Sequence, residues 1–163
     1  MGVSGCGKST LGAQLAQRLG AAFVEGDRFH PQANVEKMRA GHPLEDADRL
    51  PWLDALGQAA AAAARSTASD VAVVACSALK RLYRTRLQAA AGLPVRWICL
   101  VGDRALLERR LAARAGHFMP ASLLASQLAV FEAPESGEEA IVLDVAAAPE
   151  ALVQRAAAWC GAN

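Results

Sequence analysis

Residues 2–9 read GVSGCGKS, which fits G-x-x-x-x-G-K-[ST], a spacing with a definite phosphate chemistry. Glycines at these positions let the chain take positive φ and turn successive backbone N–H groups toward phosphate oxygens. The helix that follows aims the positive end of its dipole at the same place. Gly2, Val3, Ser4, Gly5, Cys6, Gly7, Lys8, Ser9 and Thr10 are thus the expected nucleotide cradle. Lys8 would give a full charge to the β and γ phosphates, and the Ser9 hydroxyl would ligate Mg²⁺.

A second group follows at Glu25-Gly26-Asp27 and Phe29-His30-Pro31, where a strand should end. Ligands of open α/β sheets collect at the carboxyl ends of strands, so a carboxylate there should face the cradle. Asp27 could accept a proton or hydrogen bond from an attacking hydroxyl and help hold the water shell of Mg²⁺. His30 could bind a substrate oxygen, although alone it equally fits a structural histidine. Charge is dense from Lys37 to Arg49, a stretch that also fits a solvated helical face with caps. Lys80 and Arg84 stand four residues apart, and such spacing would let both cations reach one anion. Arg110 and Arg114 repeat that interval before Gly116 and Pro120, a segment suited to a moving flap that clamps triphosphate and stacks on a base.

The elements that must position these residues alternate. Strand-like runs lie at 22–25, 71–75, 95–101 and 141–145, and helices are predicted over 7–19, 32–39, 48–65, 80–91, 103–115, 121–131 and 149–159. Alternation of this kind predicts a parallel sheet covered on both faces. Leu11, Leu15 and Leu19 form one buried stripe, with Gly20 as the stop. If Asp48 caps its helix, Pro51 falls in a first turn that has no hydrogen bond to lose. A buried central strand normally precedes a phosphate loop, yet only Met1 precedes Gly2. Either the start is placed too late or the protein lacks that strand; a sheet without it would leave a line of backbone groups unpaired.

Composition sets the frame. The chain has 163 residues, 53% hydrophobic, and its net charge is +1, which fits one domain and excludes a nucleic-acid footprint. The hydrophobic share includes 38 alanines, and no run of about 20 apolar residues suggests a membrane span. Without a signal-peptide pattern, a cytoplasmic protein is expected. Cys6, Cys76, Cys99 and Cys160 are too widely spaced for a metal or redox motif and read as reduced packing residues. Only three of 17 basic residues are lysine (Lys8, Lys37, Lys80), and all three lie in the groups above.

Taken together, GVSGCGKST, EGDRFHPQANVEKMRAGHPLEDADRLPWL, CSALKRLYR, RLAARAGHF and SLLASQL, in that order, resemble the gluconokinases of the P-loop small-molecule kinases. The resemblance spans nearly the whole chain, and the second string is its most specific part. It implies an α/β, three-layer α/β/α P-loop NTPase fold like that of nucleoside-monophosphate kinases, here lacking the first, central strand. It also implies one kinase domain over 1–163, with an acceptor-binding segment near 28–66 and a lid near 110–120. The implied reaction is transfer of the γ-phosphate of ATP, with Mg²⁺, to the terminal hydroxyl of D-gluconate, commonly by a homodimer. Lys8, Asp27 and Arg114 would be catalytic, and Ser9 and Asp27 would hold the metal. Arg110 and Arg114 would grip nucleotide, and Asp27, His30, Arg49, Lys80, Arg84 and His117 would bind the acceptor. From spacing alone, a kinase of another small acid such as shikimate, a nucleotide kinase and a non-catalytic nucleotide-binding module stay open.

Overall fold

The four-residue leucine spacing folds as expected into α1 (Lys8–Leu19), which buries Leu15 and ends at Gly20 in the left-handed conformation. In the computed structural model, which describes residues 1–113 and 123–161, the chain continues through β1 (Ala22–Glu25) and a 3₁₀ turn (Gly26–Phe29). Then come α2 (Gln32–Arg39), α3 (Asp46–Arg65), β2 (Ala72–Ala75), α4 (Arg81–Ala91) and β3 (Trp97–Val101). The last elements are α5 (Arg104–Ala112), α6 (Leu123–Ala129), β4 (Ala140–Asp144) and α7 (Pro149–Trp159).

The strands pair in parallel, as their alternation with helices requires, but in two pairs: β1 with β2, and β3 with β4. Between these half-sheets lie Met1 and Gly2. The Met1 carbonyl accepts from Leu100 N–H at 2.8 Å, its α-amino group donates to Ile98 O at 2.5 Å, and Gly2 N–H donates to Ser77 O at 3.1 Å. Two residues therefore supply the rung that a central strand would continue, in line with the sheet expected from the sequence. Burial lowers the pKa of the Met1 α-amino group, because it disfavours the charged form.

Alternate residues of β3 point to opposite sides, as strand geometry demands. Leu100 joins a core with Leu15, Leu143, Leu152 and Ala156 on the side of α1 and α7; Trp97 and Cys99 join Trp52, Leu56, Tyr83 and Leu87 on the side of α3 and α4. Trp52 and Trp97 are buried as expected, and Trp159 is partly so. All four cysteines are free; Cys6, Cys76 and Cys99 are buried, and burial pushes the Cys76 thiol up to about 11.

Several boundaries shift by one to three residues, β3 beginning at Trp97 and α5 ending at Ala112, and one shift has a chemical consequence. Helix α3 begins two residues earlier than the sequence indicates, with Glu45 at its N-cap and Asp48 in its first turn, where Asp48 Oδ2 accepts from Glu45 N–H at 2.8 Å. Pro51 thus lies in the second turn, and the Ala47 carbonyl loses its helical partner. Both residues are exposed, so water can satisfy that carbonyl.

Helices α3 and α4 meet at Gly57, where an added Cβ would lie 2.7 Å from Ala90 Cβ and 2.8 Å from Leu87 O. Overpacking against backbone costs about 1–3 kcal/mol. Gly57→Ala should therefore lower Tm by about 2–4 °C for each kcal/mol lost, read by thermal denaturation.

Candidate active site

The phosphate loop leaves the Met1–Gly2 rung and turns into α1. Gly2 (φ 142°) is fixed by space, since a Cβ there would lie 2.5 Å from Leu100 O. Gly7 (φ 89°) has open space around it, so its left-handed backbone is what calls for glycine. Lys8 Nζ donates to Val3 O at 2.9 Å across the loop, and Ser4 N–H donates to Gln127 Oε1 at 2.7 Å.

Ser4, Gly5, Gly7, Lys8, Ser9 and Thr10 line a cleft of about 220 Å³ whose other walls include Asp27 and Arg110. Most of the expected cradle is thus brought together with the expected acceptor carboxylate. Gly2, Val3 and Cys6 are buried beneath it. Arg110 also borders an adjoining pocket of about 240 Å³ with Leu11, Gln14, Val145 and Leu152, and its Nη2 donates to Val145 O at 2.9 Å. Arg114 and His117 lie outside the described residues, as does most of the segment read as a lid.

Beside Asp27 stands a second group. His30 stacks on Trp52 with ring centroids 4.1 Å apart, and Trp52 Nε1 donates to Gly26 O at 2.8 Å, pinning the 3₁₀ turn that carries Asp27. Burial lowers the His30 pKa to about 4; Asp27 opposes that shift and Arg49 adds to it. His30 Nδ1 is buried with no hydrogen-bond partner among the described residues. The imidazole is therefore neutral near pH 7 and offers a hydrogen bond rather than a charge.

The basic residues divide sharply. Arg49 is 9% exposed, its guanidinium lies 5.5 Å from the Tyr83 ring centroid, and its Nε makes a long 3.4 Å bond to Leu44 O. Among the described residues it has no ion pair. Arg84, 1% exposed, holds both Glu138 oxygens at 2.5 and 2.8 Å and also donates to the carbonyls of Ala78 and Glu132. Its charge is already met inside the protein, where the sequence led us to expect it at the acceptor. Lys80 Nζ pairs with Asp46 Oδ1 at 2.7 Å, an oxygen that also accepts from the Tyr83 hydroxyl. Lys80 and Arg84 thus do not converge on one anion: Lys80 is at the N-cap, outside the regular helix, and each cation has its own carboxylate.

Sequence reasoning did not single out Trp52, Tyr83, Asp46 or Gln127 as site residues. For Gln127 a signal existed: it is a polar residue in the Leu123, Leu124, Gln127, Leu128 stripe of α6, and buried amides have partners.

Residues 1–134 match the AAA domain family. The gluconokinase of Gluconobacter oxydans (strain 621H) is 46% identical over 158 residues, 94% of this chain and 85% of that protein. The chain belongs to the gluconokinase family. Among solved structures, a gluconokinase from Sinorhizobium meliloti 1021 superposes with a TM-score of 0.85 at 42% identity, over 99% of this chain and 89% of that one. A sugar kinase from Janibacter sp. HTCC2649 gives 0.91 at 43% identity, over 99% and 91%. As in other gluconokinases, the fold is that of a P-loop kinase, and the chain is an ATP-using enzyme of that class.

The neutral His30 has a consequence for stability. Its folded pKa lies below the ordinary 6.5, so between pH 6.5 and 4 the unfolded chain holds a proton that the folded one does not, and stability falls as pH drops through that window. The ion-paired Asp46, Asp48 and Glu138 carboxyls, held below their usual range, act at lower pH. Tm should decline from pH 6.5 toward 4 in the wild type, and His30→Phe, which keeps the stack, should flatten that slope in a pH series of melting curves.

Proposed function

We propose that this protein transfers the γ-phosphoryl group of ATP to D-gluconate, giving 6-phospho-D-gluconate and ADP. The observation that carries the reading is the cleft in which Asp27 faces Lys8 and Ser9, next to His30, whose other charged neighbour is the buried Arg49, a guanidinium with no ion pair among the described residues. A kinase of a neutral polyol has no use for that arginine; a kinase of a sugar acid does.

Each residue has a task that its place supports. Loop amides and Lys8 hold the phosphates and take up charge as the γ-phosphoryl moves, so catalysis is by positioning and neutralisation. Asp27 accepts the proton of the attacking hydroxyl. Neutral His30 donates to or accepts from a substrate hydroxyl through a ring whose Nδ1 has no partner among the described residues. Arg49 receives the gluconate carboxylate. Lys80 braces this wall through Asp46 and Tyr83. Arg110, with Arg114 and His117, would close over the nucleotide and acceptor. The Ser9 hydroxyl and the Asp27 carboxylate are hard oxygen donors on one cleft and fit Mg²⁺, which when bound would neutralise phosphate charge. Family likeness also supports a cytoplasmic homodimer; among the described residues no helix is long and apolar enough to cross a membrane.

A coupled assay over gluconate, shikimate and nucleoside monophosphates tests the reading: turnover with gluconate alone is expected, and turnover with another acceptor instead would replace the substrate. Lys8→Ala should abolish activity. Asp27→Asn should lower kcat by orders of magnitude with ATP affinity nearly intact, and full activity would remove Asp27 from the mechanism. Loss of a charge-assisted hydrogen bond is worth about 1.5–3 kcal/mol. Arg49→Met should therefore raise KM for gluconate roughly 10- to 100-fold with a smaller change in KM for ATP.

A further inference from the structure

The Val3 carbonyl and the Ser4 N–H belong to one peptide unit, which is planar and moves as a piece. At one edge the carbonyl holds Lys8 Nζ at 2.9 Å. At the other the N–H donates to Gln127 Oε1 at 2.7 Å, a residue 123 positions away on α6. The orientation of this plane sets where the ammonium rests, and Gln127 fixes that orientation.

The helix that carries Gln127 is itself braced from two sides. Leu124 packs in the core with Val3 and Cys6 beneath the loop, while Leu123 packs with Met38 of α2 and with Leu44. Gln127 is 6% exposed, and a buried amide is costly unless bonded. An apolar residue would serve packing alone; an amide there adds an acceptor aimed at the loop.

We propose that Gln127 is a positioning residue for phosphoryl transfer: by holding the Val3–Ser4 peptide plane it places Lys8 for the transferring phosphate. It acts through the loop and does not itself touch the reacting atoms. This role rests on the kinase reading above, and the two can fail separately.

Two variants separate positioning from packing. Gln127→Met keeps length and apolar bulk but loses the amide acceptor; Gln127→Glu keeps an acceptor oxygen and adds a negative charge near the phosphates. Small misplacements at a reacting centre cost up to about a hundredfold. Gln127→Met should lower kcat at least tenfold at saturating ATP and gluconate, with KM for gluconate within about twofold of wild type. Gln127→Glu should recover kcat to within about threefold and instead raise KM for ATP. Equal kcat loss in both variants, or wild-type kcat in Gln127→Met, overturns the proposal. If Gln127→Met does not fold, Gln127→Glu decides alone: kcat kept with KM for ATP raised supports the role, and a tenfold fall in kcat sinks it. Amide hydrogen exchange of nucleotide-free protein needs no acceptor and so survives failure of the gluconate assignment. The Ser4 amide should exchange at least tenfold faster in Gln127→Met and at the wild-type rate in Gln127→Glu; no difference between the two overturns the proposal.

Discussion

Three main-chain hydrogen bonds at Met1 and Gly2 connect the half-sheets and set the base of the phosphate loop. Because that base is anchored to Ser77, two residues beyond β2, and to Leu100 within β3, the loop opens at the carboxyl ends of the strands. Asp27, just beyond β1, then needs only a single pinned turn to reach the same cleft. Gly2 is where the anchor is tightest, since any side chain would strike the Leu100 carbonyl.

Around this anchor the protein sorts its cations by what neutralises them. Arg84 and Arg49 are both buried, yet one is closed in a bidentate pair with Glu138 and the other rests against an aromatic ring and one distant carbonyl. A buried charge is costly without a partner, so a guanidinium with no ion pair among the described residues fits the anion-binding role proposed for Arg49. Lys37–Asp48 and Lys80–Asp46 meanwhile tie the first turn of α3 to α2 and to the start of α4. The dense charge of this segment is therefore largely scaffolding.

The stacked His30–Trp52 pair adds a neutral group beside Asp27. Burial strips the imidazole of its charge, and the indole at its back holds the Gly26 carbonyl at the foot of the turn. On the proposed reading, a neutral ring would discriminate hydroxyl geometry without competing with Arg49 for the acceptor's carboxylate, a division of labour between shape and charge.

Much of this was legible in the chain itself. Glycine spacing determined a phosphate loop, leucines four apart determined α1, and short apolar runs separated by helices determined parallel strands, because these depend on conformational preferences within a few residues. The start of α3, ahead of Pro51, was missed because an exposed carbonyl tolerates a proline that a buried one would not. The fate of each arginine was hidden as well: Arg84 finds its carboxylate 54 residues away, and Ser4 finds Gln127 across 123. Spacing along a chain fixes which groups can share a helix face; which distant partner neutralises a charge or turns a peptide plane is decided only when packing brings them within hydrogen-bond reach and excludes water.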